Sequence, residues 1–231
     1  MDWHEWHQAY DAPGSYLSRR LALVQRRIAD ALDEAPAGPL TAVSVCAGQG
    51  RDLIGVLARH PRGGDVRARL VELDERNVAV ARRLAAGAGL KGVEVVAGDA
   101  AATDAYADLA PADLVLLCGV LGNITDADVR TTFDHCTRLC RPGGVLVWTR
   151  TRHYDTGVCD WLKERDFEAL WVSGPDVPYG VGAHRYTGPG GPLARGRRMF
   201  TFVGYDVLRR PGPVPVVTPP PAAERRRGSG G

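Results

Sequence analysis

A short turn between two apolar segments holds the first residues with an evident chemical use. Residues 43–52 read VSVCAGQGRD, so a β-branched run leads into Gly48 and Gly50 before an amphipathic segment begins. Glycines let the backbone approach a ligand closely, and free N–H groups at the start of a helix favour an anionic group. Leu53 stands where the dinucleotide fingerprint has its third glycine. The turn predicts a nucleoside-like ligand other than a dinucleotide, and a plain tight turn is the alternative.

Acidic residues follow the next two apolar runs. Glu72 and Asp74 lie 20 or more positions after the glycine turn, where a carboxylate can accept hydrogen bonds from ribose hydroxyls. Asp99 ends the run VEVVAGD and can accept from an adenine amino group while the N–H of Ala100 meets a ring nitrogen. The alternative for Asp99 is a cap on a helix that starts at Ala100.

Regularly spaced elements must hold these residues. Apolar residues recur at helical spacing from Leu17 to Leu32, and Pro36 to Pro39 break the chain. After that break we predict strands at 41–46, 68–73, 92–97, 112–118, 143–149, 168–173 and 198–207. We predict helices near 51–60, 75–87, 126–140 and 156–165. This alternation predicts an α/β fold, with a doubly wound, Rossmann-like sheet of seven strands. The sheet is expected to be mostly parallel, with an antiparallel last strand, because no helix precedes that strand.

Three regions follow from this pattern. Residues 1–39 form an N-terminal helical lid that caps the substrate, residues 40–210 form the ligand-binding domain, and residues 211–231 form a disordered tail rich in Pro and Arg. The carboxyl ends of the parallel strands meet at one edge of the sheet, at which ligands of such folds bind. The glycine turn, Glu72 and Asp99 are therefore expected to meet there.

Composition limits the kinds of partner. The 231-residue chain has a formal net charge of +2, but residues 209–231 contribute +4, so the rest carries −2. A body of mixed charge gives no general footprint for nucleic acid. The five cysteines do not make a metal-ligand set with histidines, and we expect reduced thiols and no metal. No apolar run is long enough to cross a bilayer and no signal peptide is evident, so we expect a cytoplasmic protein.

Over about residues 40–208, these motifs resemble class I S-adenosylmethionine-dependent methyltransferases. The family's acid and GxGxG motif correspond to Ser44, Cys46, Gly48 and Gly50, so the acid and the first glycine are replaced. GDA at 98–100 is similar to the family's adenine-contacting motif, LCRPGG to its LKPGG turn, and VLGNITD to the VLHHLxD of many small-molecule methyltransferases. The start WHEWH and the end RRMFTFVG resemble actinobacterial members of the superfamily.

The resemblance implies S-adenosyl-L-methionine as the cofactor and names its contacts residue by residue. These are Ala47, Gly48, Gly50, Asp52, Glu72, Leu73, Gly98, Asp99, Ala100, Cys118, Gly119 and Asn123, with Tyr10 of the lid at the cofactor's carboxylate. Asp52 is expected to accept from the cofactor's amino group, which would compensate for the altered first motif. A cofactor without phosphates needs no third glycine, so Leu53 is free to pack the helix onto the sheet.

The acceptor is expected to be a small molecule that is methylated on oxygen or nitrogen, as in secondary metabolism. The candidate general bases are His153, His7 and His4, since imidazole exchanges a proton near neutral pH. The candidate substrate contacts are Trp3, Trp6, Asn123, His153, Tyr154, His184 and Arg185. Docking of the N-terminal tryptophans on the body, with solvated histidines, is the alternative interpretation.

Three other functions remain open on the sequence. An RNA or protein methyltransferase would use the same cofactor but is expected to show a basic stripe or an added recognition domain. A partner protein that binds S-adenosylmethionine without catalysis would also fit the replaced first motif. A nicotinamide oxidoreductase is the remaining nucleotide-dependent class.

Overall fold

Seven strands form one sheet in the computed structural model, which describes residues 2–151 and 157–208. The strands are β1 Leu40–Val45, β2 Val66–Glu72, β3 Val93–Ala97, β4 Ala112–Leu117, β5 Cys140–Thr151, β6 Phe167–Val172 and β7 Tyr179–Tyr186. Their order across the sheet is β3-β2-β1-β4-β5-β7-β6. Strands β1 to β5 pair in parallel, whereas β7 pairs antiparallel with both β5 and β6. The predicted fold class, a mostly parallel α/β sheet of seven strands with an antiparallel end, is confirmed.

Helices cover both faces of this sheet. They are α1 Trp3–Trp6, α2 Tyr16–Glu34, α3 Leu53–Leu57, α4 Glu75–Gly87, α5 Asp126–Leu139, α6 Val158–Lys163 and α7 Tyr205–Leu208, with a 3-10 turn at His7–Asp11. The predicted helical pattern of residues 17–32 is α2, whose N-terminus is capped by the Ser15 hydroxyl. Its apolar stripe is buried against the sheet. Within the described residues, no helix combines the length and the apolar character needed to span a bilayer.

The strand order places the ligand site. The chain leaves β1 toward β2 and β3 on one side, and β4 pairs with the other side of β1. The sheet therefore has its topological switch point between β1 and β4, where a crevice opens at the carboxyl ends of the strands. The glycine turn at the end of β1 lies at this crevice.

The predicted last strand was wrong in position. Residues 198–203 form no ladder and make a single bridge, between Ala102 and Arg198. The N–H groups of Val203 and Gly204 instead donate to the carbonyl of Asn123, which ties this segment across the carboxyl edge of the sheet. The alternating apolar residues of this segment, which predicted a strand, cover the crevice instead.

The seventh strand lies between residues 173 and 198, where the sequence predicted neither a strand nor a helix. Residues 179–186 contain two glycines, which are typical of turns, but they pair with both β5 and β6. A side chain at Gly182 would collide with the indole of Trp148 on β5, so the glycine there makes room for a buried tryptophan. Packing explains this glycine, and no turn is needed.

His184 and Arg185 lie on β7 away from the crevice, which corrects their prediction as substrate contacts. Because β7 is antiparallel, Arg185 pairs with Val145 near the start of β5, at the edge opposite the site. Its guanidinium contacts Glu34 of α2 at 2.8 Å. His184 is buried and accepts a hydrogen bond on Nδ1 from Nε1 of Trp148 at 3.2 Å. Both side chains therefore contact neighbouring elements of the fold and do not line the crevice.

We expect His184 to make folding stability depend on pH. Burial lowers the pKa of His184 to about 4 from the usual 6.5. The unfolded chain therefore takes up this proton first, so the stabilisation is complete above pH 6.5 and is lost as the pH falls toward 4. The loss by pH 4 is about 3 kcal/mol for a shift of this size.

Urea unfolding of the wild type and of His184→Asn at pH 7 and pH 4 checks this expectation. Asn keeps an acceptor near the position of Nδ1 but has no titrating group. The difference in unfolding free energy between the two proteins should shrink or reverse at pH 4. An unchanged difference would contradict the assignment.

Candidate cofactor and acceptor site

The turn after β1 has a left-handed backbone at three positions. Cys46, Gly48 and Gly50 have φ angles of 51°, 56° and 65°, which glycine adopts at little cost. A Cβ added at Gly50 would approach Leu70 at 2.7 Å, so this glycine packs against the sheet behind the turn. Gly48 faces the crevice. The two glycines therefore have different tasks, and only Gly48 faces a ligand.

Glu72 links the ends of β1 and β2. Its Oε2 accepts from the N–H of Gly48 at 2.8 Å, and its Oε1 accepts from the N–H of Asp74 at 2.9 Å. Burial raises the pKa of Glu72, and the two N–H donors act in the opposite direction. Asp74 caps α4 through the N–H of Arg76 and is also paired with the Arg76 guanidinium. Glu72 is thus the better placed of the two predicted acids.

The residue after Glu72 is an exposed leucine. Leu73 has 73% of its surface exposed and lines the same crevice as Glu72. A large apolar side chain beside a buried carboxylate provides a flat apolar contact next to a hydrogen-bond acceptor. A nucleoside requires this combination, because its base is flat and its ribose carries hydroxyl groups.

Asp99 follows β3 and does not cap a helix at Ala100. Its Oδ1 accepts from the N–H of Ala101 at 2.9 Å, and its Oδ2 contacts Arg198 at 2.6 Å. No helix begins at Ala100, which corrects the capping alternative. Asp99 and Ala100 both line the crevice, whereas Gly98 donates its N–H to the carbonyl of Glu72 and does not line it.

The end of β4 forms a hydrogen-bonded turn. The N–H of Gly119 donates to the Thr149 hydroxyl on β5 at 2.8 Å, and Nδ2 of Asn123 donates to the carbonyl of Gly119 at 2.6 Å. Asn123 also accepts, on its own carbonyl, the N–H groups of residues 203 and 204. Asn123 therefore joins the turn after β4 to residues 203–204 at the crevice that it lines.

The N-terminal segment, residues 2–11, lies across the crevice, and we call it the lid segment. The carboxylate of Asp2 contacts Arg76 on α4 through two hydrogen bonds of 2.9 Å. Asp11 contacts Arg51 beside the glycine turn at 2.5 Å. The ring of Trp3 lies edge-on against Phe202, with centroids 5.5 Å apart. The lid segment is thus attached at three different places around the rim.

His7 lies directly above Gly48. A Cβ added at Gly48 would clash with Nε2 of His7, so the imidazole occupies the space that a side chain would fill. The Nδ1 atom lies 2.6 Å from the carbonyl of Trp3, and because a carbonyl only accepts, Nδ1 carries the proton. Nε2 is therefore the acceptor. Burial lowers the pKa of His7, which favours the neutral imidazole.

A chain of hydrogen bonds joins the glycine turn to the lid segment. Nε of Arg51 donates to Oε1 of Gln49 at 2.8 Å, and Nε2 of Gln49 donates to Oδ1 of Asn77 at 3.2 Å. Nδ1 of His4 also lies 3.1 Å from this Oδ1 and must be the donor. Since Arg51 binds Asp11, both ends of the chain lie on the lid segment. His4 positions the lid segment and does not line the crevice.

Together these elements enclose a cavity of about 970 Å³. This volume is at the upper end of the range of about 300–1,000 Å³ for small-molecule sites. The predicted site residues that line it are Trp3, Trp6, His7, Tyr10, Ala47, Gly48, Asp52, Glu72, Leu73, Asp99, Ala100, Cys118, Gly119 and Asn123. His153 and Tyr154 lie outside the described residues. In the part of the chain that the structure describes, no group of three or more His, Cys, Asp and Glu is arranged to hold a metal ion.

Several lining residues escaped the sequence analysis. Arg20 reaches the cavity from α2, Gln49 and Asn77 from beside the glycine turn, and Phe200 and Phe202 from the segment that crosses the strand ends. Asn77 is fully buried within an otherwise apolar stripe of α4. An isolated polar residue at such a position could have indicated that it belongs to the site. The two phenylalanines were assigned to a strand face, so their position could not be deduced.

Comparison with known proteins agrees with this geometry. Residues 42–144, which span β1 to β4 and enter β5, match the model of a methyltransferase domain family. No curated protein sequence matches the chain. Among similar solved structures is a precorrin-6y C5,15-methyltransferase of Geobacter metallireducens, with 15% identity and a TM-score of 0.54 over 71% of this chain and 86% of that one.

Two further structures have the same TM-score of 0.54. An O-methyltransferase family protein of Burkholderia thailandensis is 17% identical over 71% of this chain and 56% of that one. A protein described as a candidate rRNA methylase of Clostridium thermocellum is 16% identical over 71% and 96%. Such identities establish a shared fold and leave the acceptor open.

The chain contains a methyltransferase domain at residues 42–144, where the family model matches, and its strand order and the residues at its strand ends are those of class I S-adenosylmethionine-dependent methyltransferases. It is an enzyme, and its cofactor is S-adenosyl-L-methionine. The site suits this molecule. Glu72 offers a carboxylate to hydroxyl groups, Leu73 an apolar face, and Asp99 an acceptor at the end of β3.

We expect Glu72→Gln to weaken binding of S-adenosylhomocysteine about tenfold or more, because a hydrogen bond to a charged group contributes about 1.5–3 kcal/mol. Glutamine keeps the size of the side chain and an acceptor for one N–H. Glu75→Gln, at an exposed position on α4, is the matched control and should bind as the wild type does. Isothermal titration calorimetry measures both. Equal affinity of the wild type and Glu72→Gln would show that the ribose lies elsewhere.

Proposed function

We propose that this enzyme methylates an oxygen or nitrogen atom of a small, largely apolar acceptor that is enclosed beneath the lid segment. The observation that carries the proposal is the aromatic wall of the cavity. Trp3, Trp6 and Tyr10 of the lid segment line the cavity together with Phe200 and Phe202, and Trp3 contacts Phe202. Small-molecule sites are mostly apolar with a few polar anchors, as this one is.

The enclosure also favours a small acceptor. The lid segment is attached to α4 by Asp2, to the glycine turn by Asp11 and to the crossing segment by Trp3, so the cavity is roofed. A polymer would need an open groove with cationic walls. The cavity is lined by acidic residues (Asp52, Glu72, Asp74 and Asp99) as well as arginines (Arg20, Arg51 and Arg150), so its walls are not uniformly cationic.

The chemistry assigned to the chain's own residues is orientation and proton removal. The bound cofactor supplies a methyl group on a positively charged sulfur, which is already activated for attack. The enzyme must hold the acceptor atom in line and accept its proton. We assign the proton to Nε2 of His7, which is the unprotonated nitrogen of a neutral ring and faces the cavity beside Gly48. His7 would take the proton from the acceptor O–H or N–H and become the imidazolium. The electron pair left on that oxygen or nitrogen would form the new bond to the methyl carbon, and the carbon–sulfur bond would break with its electrons going to the sulfur, which loses its positive charge.

The carbonyl of Trp3 is the positioning partner in this step. It fixes the tautomer by accepting from Nδ1, and it stabilises the imidazolium after proton transfer. Because Trp3 and His7 belong to the same lid segment, closure places the base and the aromatic wall together. His153, which follows β5 in the sequence and lies outside the described residues, stays a prediction for the base.

We expect label from methyl-labelled S-adenosylmethionine, incubated with the enzyme and cell extract, to appear in the low-molecular-weight fraction. Extract without the enzyme and extract with Glu72→Gln are the controls. Label in RNA would instead assign the enzyme to the nucleic-acid methylases. The rRNA methylase among the similar structures makes this the alternative. Label in protein would likewise contradict a small acceptor.

We expect His7→Gln to lower kcat about 100- to 10,000-fold, the usual contribution of a general base. Binding of S-adenosylhomocysteine should change little. In the wild type, kcat/KM should fall only below pH 6.5, because burial lowers the pKa of His7 and the imidazole stays neutral above that pH. Both kcat and the pH dependence of kcat/KM are measured from the fraction of labelled acceptor formed per minute. If His7→Gln keeps full activity and its kcat/KM falls at low pH as that of the wild type does, His7 is not the base.

A further inference from the structure

We propose that Arg20 and Asp52 hold the two charged ends of the cofactor's amino acid group, Arg20 its carboxylate and Asp52 its ammonium. The inference rests on S-adenosylmethionine as the cofactor and does not depend on the acceptor. It adds a residue of α2, outside the matched methyltransferase domain, to the cofactor site.

Arg20 is a cation that faces the cavity without an acidic partner. Its Nη2 donates to the hydroxyl of Tyr10 at 3.1 Å, and its guanidinium lies 5.7 Å from the ring centre of Trp6 and 6.0 Å from that of Tyr16. Among the described residues, no carboxylate oxygen lies within 4.0 Å of it, although most arginines that reach other elements have such a partner. Because its neighbours are aromatic rings and Arg20 lines the cavity, its remaining guanidinium donors are available to a ligand there.

Asp52 is the complementary group on the other side of the glycine turn. Its Oδ1 accepts from the N–H of Leu53 at 2.7 Å and so begins α3. Within residues 2–151 and 157–208, no cationic nitrogen lies within 4.0 Å of its carboxylate. Burial raises the pKa of Asp52, and the charge of Arg20 lowers it. Arg20 and Asp52 both line the same cavity, so a zwitterion bound there has a cation for its carboxylate and an anion for its ammonium.

The position of this pair fits the rest of the site. Glu72 and Asp99 lie at the ends of β2 and β3, on one side of the glycine turn, and take the nucleoside. Asp52 follows β1 and interacts with Cys118 at the end of β4, on the other side of the switch point. A ligand that crosses over Gly48 therefore has its nucleoside at one side and its amino acid group at Arg20 and Asp52.

Nearby side chains cannot supply these charges. Ser44 is buried in β1 and carries none, and burial raises the pKa of the Cys46 thiol, so that it stays neutral. Tyr10 accepts from Arg20 and keeps its own proton, because burial raises its pKa. Its hydroxyl can thus donate to the same carboxylate as Arg20, as the resemblance implied for Tyr10.

Two ligands separate this inference from the cofactor assignment. S-adenosylhomocysteine carries the amino acid group, whereas 5′-methylthioadenosine has the same nucleoside and sulfur without it. We expect Arg20→Gln to weaken binding of S-adenosylhomocysteine about 10- to 100-fold, as for hydrogen bonds to a charged group. Binding of 5′-methylthioadenosine should stay within about twofold of the wild type. Isothermal titration calorimetry on the full chain gives both affinities.

Two further variants complete the test. Arg19→Gln removes the same charge from an exposed position of α2 and should leave both affinities unchanged. Asp52→Asn keeps the helix cap, since Asn caps as well as Asp does, and should also weaken only S-adenosylhomocysteine. Equal losses for both ligands, or no loss for either, would overturn the inference. If neither ligand binds the wild type, the cofactor assignment fails first.

Discussion

Gly48 has no side chain, and other groups of the site contact it on two sides. Its N–H donates to Glu72, which joins the ends of β1 and β2, and the space beside its Cα is filled by the imidazole of His7. Any larger residue would displace the histidine and strain a backbone with a φ of 56°. The cofactor edge of the sheet and the roof above it therefore meet at one residue, and their relative position depends on it.

Charge is distributed around this contact in a definite order. Acids lie at the ends of the first three strands, where a nucleoside with hydroxyl and amino groups needs acceptors. Farther out lie Arg20 on α2, Arg76 on α4 and Arg51 after the glycine turn, and of these Arg76 and Arg51 bind acids of the lid segment. Arg20 is the exception, since its only described polar partner is a tyrosine hydroxyl. The neutral imidazole of His7 lies between these groups, in the apolar part of the cavity.

Local patterns in the sequence were enough for the parallel half of the fold and for the cofactor edge. The strands β1 to β4 are short β-branched runs, and the residues just after them, Glu72 and Asp99, face the site because parallel strands end at one edge. The antiparallel strand β7 could not be predicted from local patterns in the same way. Gly182 has the appearance of a turn residue until Trp148 of a distant strand is known to fill its place. Arg20 likewise gains its role only from the neighbours that α2 meets in space.

The attachment of the lid segment has a bearing on turnover. The ion pairs of Asp2 with Arg76 and of Asp11 with Arg51 are exposed on at least one side, and pairs of this kind contribute little to stability. The segment covers the glycine turn and the aromatic wall alike. Spent cofactor and methylated product would then leave through the same opening, and the frequency with which the lid segment detaches, from these ion pairs and from Phe202, would set the upper limit on how fast the enzyme exchanges its ligands.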